Sequence, residues 1–519
     1  HLLAVNKPAG LNTHAPAPYA GEGIYDWLRH REPRWANLAI MHRLDKETSG
    51  VLVFAKTALA NRSLTRQFTE RQVRKKYVLI TDRPVKSRTP RVVSTLVRAG
   101  EKYVSRAGGL PKDQAETRFR VRKADGHRTI LEAEPITGRT HQIRVHAADQ
   151  GFPILGDTLY GGSAAPRLFL HSEELALKHP VASAPIAFRA EADFSVDPRA
   201  GPRSALIDPR ETNAHRLLHG ASDGWPGWYV DRFGDYLLSQ SAEPLSEAQE
   251  KQIEEWRARL SLRGAYHKTL LRRVRQATAD QGGLRLIAGE VAPESFAVRE
   301  NGVQFEIRFG EGYSVGLFLD QRENRRRFLT RHLAAGFALT PESGRQLEVL
   351  NAFAYTCGFS MCAAQSGARV TSLDLSKKYL EWGRRNFLLN QLSPDEHEFI
   401  YGDAFDWLSR LSRKGRMFDV VALDPPTFSQ SKEFGPFQVE KHYGQLVGAC
   451  LPLLRRNGVL FASANASGWS PDAFRETVKR VIASAARGIV REHYVPQPPD
   501  FSVSRTEPAY LKTVWIEIE

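Results

Sequence analysis

The sequence predicts a multidomain protein: a strand-rich α+β unit first, a small α+β unit in the middle, and an α/β unit at the end. Three observations carry this. A chain of 519 residues has room for about three domains at ~150 residues each. Residues 1 to about 195 hold short β-branched runs (GVLVFAK, KKYVLI, HRTILEAEPI, PIAFRAE) separated by Gly, Pro and charged turns. From about residue 311 strands and helices alternate, the pattern of a parallel, doubly wound sheet with helices on both faces.

Each segment follows from its local chemistry. DFSVDPRAGPRSALIDPRET (193–212) is rich in Pro, Gly and Ser without periodicity, so a linker is expected over 196–210 between a first domain at 1–195 and a middle domain at 211–310. In the middle domain GASDGWPGWYVDRFGDYLL reads as turn, strand, turn, strand. LSEAQEKQIEEWRARL reads as an amphipathic helix opened by Ser246 with acidic residues in its first turn. GVQFEIRFGEG alternates like an edge hairpin. In 311–519, LEVLNAFAY, ARVTSLDLS, FDVVALDPP and GVLFASAN are strands. FSMCAAQSG, ended by Gly367, and KKYLEWGRRNFLLNQ are helices.

Composition narrows the partners. No apolar run approaches the ~18 residues that span a bilayer, and HLLAVNKPAG lacks a basic stretch leading into a long apolar one, so no signal peptide is expected. Cys357, Cys362 and Cys450 show neither CxxC spacing nor a histidine at zinc-finger distance. That usage fits a cytoplasmic protein without disulfides or a bound metal. A net charge of +15 suggests a polyanion, because basic surfaces release counterions from phosphates. The charge clusters in RQVRKK (Arg71 to Lys76), LLRRVR (Leu270 to Arg275) and QRENRRRF (Gln321 to Phe328). None adjoins a wide apolar face, which favours nucleic acid over a membrane surface.

Alone, the aspartate of HRLDKETSG (His42 to Gly50) would cap a turn with Thr48 and Ser49. Its company changes that. AVNKPAGLNTH (Ala4 to His14), HRLDKETSG, KKY (Lys75 to Tyr77), ITGRTHQIRVHAADQGFPILGDTLYGG (Ile136 to Gly162) and RLFLHSEELALKHP (Arg167 to Pro180) occur in this order. Over residues 1–192 the set resembles the RluA family of RNA pseudouridine synthases. The resemblance implies an α+β fold with a mainly antiparallel sheet. It also implies a cofactor-free reaction in which the uridine glycosidic bond is broken, the uracil turned and the bond remade through C5. It puts the catalytic carboxylate at Asp45, the cation that keeps it ionised at Arg144, and the aromatic against the target base at Tyr77. Arg43 and Arg139 would then serve RNA or structure, and His141 and His146 would be framework residues.

In the last third, LEVLNAFAYTCGFSMCAAQSGARVTSLDLS puts a turn after a buried strand and an acid, Asp374, about sixteen residues further on, as for a nucleotide-type ligand at parallel strand ends. GDAF (Gly402 to Phe405) and LDPPTFSQSK (Leu423 to Lys432) follow at regular spacing. An Asp-Pro-Pro with an aromatic behind it offers a carboxylate, carbonyls and a ring to a base, although such a stretch also simply ends a strand. With GLFLDQRENRRRF and LDLSKKYLEWGRRNFLLNQL, these stretches resemble class I S-adenosylmethionine-dependent methyltransferases of large-subunit rRNA, with a Rossmann-like α/β fold. They are most similar to the guanine-N7 type (RlmK). ETNAHRLLHGASDGWPGWYVDRFGD resembles instead the middle domain of the cytosine-C5 type (RlmI).

The resemblance implies a cofactor turn with Asn351, Phe353, Tyr355 and Gly358, Asp374 on the ribose, and Asp403 near the adenine. Asp424 would border cofactor and target, and Pro425, Pro426, Thr427 and Phe428 would line the base pocket. Asp320 and Arg322 would edge the cofactor site, and Cys357 stands where the turn usually has glycine or a small residue. Cytosine-C5 methylation needs a thiolate to add to the ring first. In the C5 relatives that cysteine lies in an SCS-like stretch, which here reads LFASANASGW. Guanine N7 is already nucleophilic and needs only placement, so the expected acceptor is guanine N7 of 23S rRNA. Cytosine C5, and an RNA-binding assembly factor with one inactive site, stay as alternatives.

Overall fold

The computed structural model describes residues 1–106, 108, 114–269, 283–311, 314–341, 344–431 and 435–519. Two compact units form. The first comprises His1–Pro16, Glu22–Arg29 and Arg34–Leu206, and the second Ala17–Gly21, His30–Pro33 and Ile207–Glu519.

The first unit is built on a ten-stranded sheet. Its main path runs Leu2–Lys7, Ser49–Ala55, Leu170–Lys178, Arg74–Thr81, Thr129–Pro135, Gln114–Ala124, Arg91–Ala99, Lys102–Arg106. All neighbours are antiparallel except Ser49–Ala55 against Leu170–Lys178, so the mainly antiparallel sheet expected from the sequence is present. Ser49–Ala55 is buried at every position. Its alternation sends Leu52 and Phe54 into one core and Val51, Val53 and Ala55 into another. The second core includes Ala60 and Leu64 of helix Ala58–Thr69, which Thr57 caps by accepting from the Ala60 amide. Gly50 has φ +117°, and a Cβ there would lie 2.6 Å from the Ser172 nitrogen. Only glycine lets the strand begin this close to its neighbour.

The stretch expected as a linker is folded. Gly201–Leu206 is a helix, and Leu206 joins the core that holds Leu11 and Ile24. Arg167, itself buried, donates to the carbonyls of Asp193 (3.0 Å) and Val196 (3.5 Å). An apolar side chain and a buried cation both need cover, and these residues supply it, so the first unit runs to Leu206.

In the second unit a five-stranded sheet runs Ala214–His219, Trp228–Phe233, Tyr236–Ser241, Gly264–Thr269, Leu284–Gly289. Helix Glu247–Arg259 lies on it and opens at Ser246, as expected, with a capping box closed by Gln249. The second sheet has seven strands in the order Glu398–Tyr401, Arg369–Asp374, Glu348–Ala352, Phe418–Leu423, Leu454–Asn465, Leu511–Ile518, Ile489–Val495. Its first five strands are parallel, and the order reverses direction between Glu348–Ala352 and Phe418–Leu423. That is the switch point at which an α/β sheet opens a crevice. The Rossmann-like expectation holds.

Residue 310 is no boundary in the core. The hairpin Phe296–Glu300/Val303–Ile307 packs Phe305 into one cluster with Ala214 and Tyr236 on one side and Val349 and Phe387 on the other. Asn386 Oδ1 accepts from the Glu306 amide (2.9 Å), and Trp382 Nε1 donates to the Glu306 carbonyl (3.2 Å).

One of the three basic clusters reads differently in three dimensions. Gln321–Phe328 was expected to face a polyanion, but its arginines are interior. Arg322 donates to both oxygens of Asp500 (2.8 and 2.6 Å), Arg325 to both of Glu300 (2.7 and 2.7 Å), and Arg327 to the Leu333 and Glu323 carbonyls. Helix Arg322–Thr330 lies in the core, where a guanidinium must find carboxylates or carbonyls instead of water. Leu270 to Arg275 lies outside the described residues. Among the described residues no helix is long and apolar enough to cross a membrane.

Arg325→Met leaves Glu300 buried without its partner and should destabilise the second unit by about 3–5 kcal/mol. Arg325→Met with Glu300→Met should recover most of that loss. Urea unfolding followed by tryptophan fluorescence measures both.

Two candidate active sites

In the first unit, residues 41–48 form the loop that enters strand Ser49–Ala55. Its backbone is held on both sides of Asp45. Thr13 Oγ1 donates to the Leu44 carbonyl (2.7 Å) and accepts from the Leu44 amide (3.0 Å). The Lys46 carbonyl accepts from the Gly10 amide (2.9 Å) and from Lys7 Nζ (3.1 Å). Lys7 also donates to the Leu11 and Pro8 carbonyls and is wholly buried. Burial brings its ammonium down to about 7. Lys7 and Thr13 stand inside AVNKPAGLNTH, yet the sequence reading assigned them nothing; a lysine ending a strand that opens with four apolar residues was the available signal.

Asp45, Tyr77 and Arg144 line one cavity of about 660 Å³. Asp45 Oδ2 stands 3.8 Å from His141 Nε2 and 3.9 Å from Arg144 Nη1. Arg144 lies on helix Gln142–Asp149, and its closer partner is Asp157, to which Nε and Nη2 each donate at 2.7 Å. The sequence reading missed Asp157, although it lies in the quoted ILGDTLY. Tyr160 sits 5.0 Å from the same guanidinium. Its hydroxyl oxygen accepts from the Tyr103 amide (2.9 Å) and is hydrogen-bonded to His141 Nδ1 (2.7 Å). Tyr77, on strand Arg74–Thr81, is buried, and burial pushes its phenol to about 12, so it stays protonated. Arg43, Arg71, Lys75 and Arg139 line the same cavity. His146 is enclosed between Ser94 Oγ (3.0 Å) and Thr117 Oγ1 (2.8 Å), and burial lowers it to about 4, which keeps it a neutral framework residue.

The second site is a cavity of about 850 Å³ at the carboxyl ends of the parallel strands. Phe353, Tyr355, Asp374, Asp403, Asp424, Pro425, Pro426, Thr427, Phe428 and Asp320 all line it, as do Phe318 and Asn465. Three expected residues lie behind it. Asn351 is buried with Nδ2 donating to Ser360 Oγ (2.9 Å), Gly358 starts helix Gly358–Gln365, and Arg322 is spent on Asp500.

The turn after strand Glu348–Ala352 has no glycine before Gly358, yet Phe353, Tyr355 and Cys357 have φ of 63°, 49° and 63°. Left-handed non-glycine residues each store about 1–3 kcal/mol and persist only where packing holds them. Here Tyr355 N–H donates to Asp374 Oδ2 (2.8 Å), and Cys357 fits because the facing helix has glycine at 383. A Cβ at Gly383 would lie 2.8 Å from Cys357 Cβ and closer still to its sulfur. Asp374 Oδ1 also accepts from the Ser376 amide (2.8 Å), and burial raises its carboxyl. Asp403 caps helix Ala404–Arg413 through the Phe405 amide (2.9 Å).

Asp424 ends strand Phe418–Leu423. Burial raises its carboxyl to about 6, against hydrogen bonds from Ser463 and Gln321 that favour the ionised form. All three cysteines are buried, and burial raises every thiol, that of Cys357 to about 12. None lines the cavity, and beside Thr427 the wall is Asn465, whose carbonyl accepts from Thr427 Oγ1.

Comparison with known proteins agrees with this division. Residues 1–149 match the family of RNA pseudouridylate synthases and residues 239–514 that of S-adenosylmethionine-dependent methyltransferases. The ribosomal RNA large subunit methyltransferase of Deinococcus radiodurans is 33% identical over 324 residues, 61% of this chain and 76% of that protein. Ribosomal RNA large subunit methyltransferase I of Aeromonas salmonicida is 30% identical over 328 residues, 60% of this chain and 76% of that protein. The crystal structure of SMU.776 complexed with SAH is similar at 28% identity and a TM-score of 0.51, covering 59% of this chain and 76% of that one.

Gly383→Ala overpacks the turn through Cys357, a class of change that costs about 1–3 kcal/mol. It should weaken S-adenosylmethionine binding by about tenfold or more, measured by calorimetry, while leaving the first unit's activity unchanged.

Proposed function

We propose, for a chain that belongs to the S-adenosylmethionine-dependent methyltransferase family and carries an RNA pseudouridylate synthase domain ahead of it, two reactions on RNA. The first unit isomerises uridine to pseudouridine, and the second methylates large-subunit rRNA at guanine N7. The rRNA substrate is supported by the names of the relatives, and the cytoplasm is the setting the cysteine usage suggests. The acceptor reading is carried by one observation: no cysteine lines the second cavity, and from the stretch LFASANASGW it is Asn465 that does.

At the first site Asp45 acts as nucleophile or base on the target nucleoside. A uridine stacked in a helix cannot reach it, so the nucleotide must be turned out into the cavity, where the Tyr77 ring offers a face to the uracil. Arg43, Arg71, Lys75 and Arg139 meet the backbone phosphates. Arg144, held by Asp157, places a positive charge beside Asp45. The C1′–N1 bond breaks, C1′ bonds to C5 instead, the C5 proton leaves and N1 takes up a proton, so uridine and product have the same composition. No cofactor enters.

At the second site the residues fit S-adenosylmethionine. The cavity opens at the sheet's switch point, and the carboxylate oxygens of Asp374 each accept a backbone N–H while keeping lone pairs for ribose hydroxyls. S-adenosylmethionine supplies a methyl group activated by its sulfonium. Asp374 would hold the ribose, Asp403 would lie near the adenine, and Pro425 to Phe428 would receive the base. Methylation at N7 leaves the guanine cationic and needs no base. An ionised Asp424 stabilises that developing charge in a site screened from water. Cytosine C5 would require a thiolate at a wall that has none.

Mass-spectrometric mapping of rRNA modifications tests both halves. Asp45→Ala should remove one pseudouridine and keep the methyl group; Asp424→Ala should do the reverse. Two unchanged maps would sink the two-enzyme reading, and a lost methyl mapped to cytosine C5 would sink the guanine assignment alone. Asp157→Asn frees Arg144 from its clamp. A displacement on the order of 1 Å lowers rates about 10²-fold, so isomerisation should fall by that factor with RNA affinity unchanged in a filter-binding assay.

A further inference from the structure

We infer that Trp515, Asn324 and Gln321 form a one-directional hydrogen-bond chain that commits Asp424 to accepting, and that Asn324 is therefore a positioning residue for methyl transfer. The inference rests on the reading that Asp424 faces the reacting base.

The chain is buried throughout. Its direction is set at the far end, because an indole N–H can only donate. Trp515 Nε1 lies 3.2 Å from Asn324 Oδ1, so that atom is the amide oxygen. The Asn324 amino group then faces Gln321 Oε1 at 2.8 Å and Thr513 Oγ1 at 3.4 Å. The threonine agrees with this sense, since its hydroxyl donates to the Val495 carbonyl (2.7 Å) and keeps its oxygen to accept. With its oxygen used, Gln321 turns its amino group outward, to Asp424 Oδ1 (3.1 Å) and Ser463 Oγ (2.8 Å). Ser463 accepts from Gln321, and its hydroxyl favours the ionised form of Asp424. Amide orientation is normally a choice among near-equal alternatives. Here the indole removes the choice twice over.

The consequence is chemical. The Gln321 amino group donates to Asp424, and it and the Ser463 hydroxyl both favour its carboxylate form. They oppose the burial and the Asp320 carboxylate that favour the neutral acid. The other charged or titratable groups facing it are Arg325, which helps the carboxylate, and the Tyr443 phenol, buried and protonated. A target base must then present an N–H or a developing positive charge to Asp424, because an acceptor atom would meet another acceptor.

The test is the pH-rate profile of methyl transfer by the full-length protein on unmodified rRNA. Wild type should lose activity as pH falls through about 6, where Asp424 takes a proton. Asn324→Asp presents only acceptors to Gln321. The Gln321 amide should flip, point its oxygen at Asp424, and move the acidic limb up by about one pH unit or more. Asn324 does not line the cavity, so affinity for S-adenosylmethionine should stay within about twofold. Gln321→Leu removes the donor without adding charge and should move the limb the same way. It decides the matter if Asn324→Asp does not fold by circular dichroism. Wild-type rates from Asp424→Asn would overturn the reading of Asp424 itself. An inactive Asp424→Asn, with the wild-type limb retained in the folded chain variants, would overturn the relay alone.

Discussion

A guanidinium withdrawn from water must meet carboxylates or carbonyls instead, and in both units a carboxylate holds an arginine that bears on the site. In the first, Asp157 grips Arg144 by two hydrogen bonds and so holds it beside Asp45. In the second, Glu300 and Asp500 grip Arg325 and Arg322, which lie on the helix that follows Asp320 and Gln321. Buried pairs of this kind add little net stability, since desolvation consumes most of the attraction. What they contribute is position, because neither partner can leave without exposing the other.

The two sites surround their carboxylates differently. At the first, a cation and a histidine face Asp45 across just under 4 Å. At the second, burial and Asp320 push Asp424 towards neutrality, and hydrogen bonds from Gln321 and Ser463 resist. A carboxylate balanced in this way responds to small changes in its surroundings. The neighbouring turn is balanced similarly. Its left-handed residues are unfavourable locally, and a backbone bond to Asp374 and the space left by Gly383 hold them in place.

Much of the fold was legible along the chain because the signals are local. Ser246 opens its helix with a capping box, and the strands LEVLNAFAY, ARVTSLDLS and FDVVALDPP appear in a parallel sheet. Asp45, Tyr77 and Arg144 share one cavity, and Asp374, Asp403 and Asp424 another. The linker misread Pro and Gly as absence of structure, whereas Leu206 supplies an apolar anchor. The resemblance implies that Arg322 edges the cavity with Asp320, but Asp320 and Gln321 line the crevice while Arg322 turns to Asp500.

Motif chemistry and element type depend on residues a few positions apart, and these the chain discloses when read in order. Burial depends on residues brought together from anywhere, and so does everything that burial decides. The arginines of QRENRRRF look like a surface for RNA until Glu300 and Asp500 arrive from elsewhere in the chain to enclose them. Trp515 stands 191 positions from Asn324, and only their contact sets the direction of the bonds that end at Asp424.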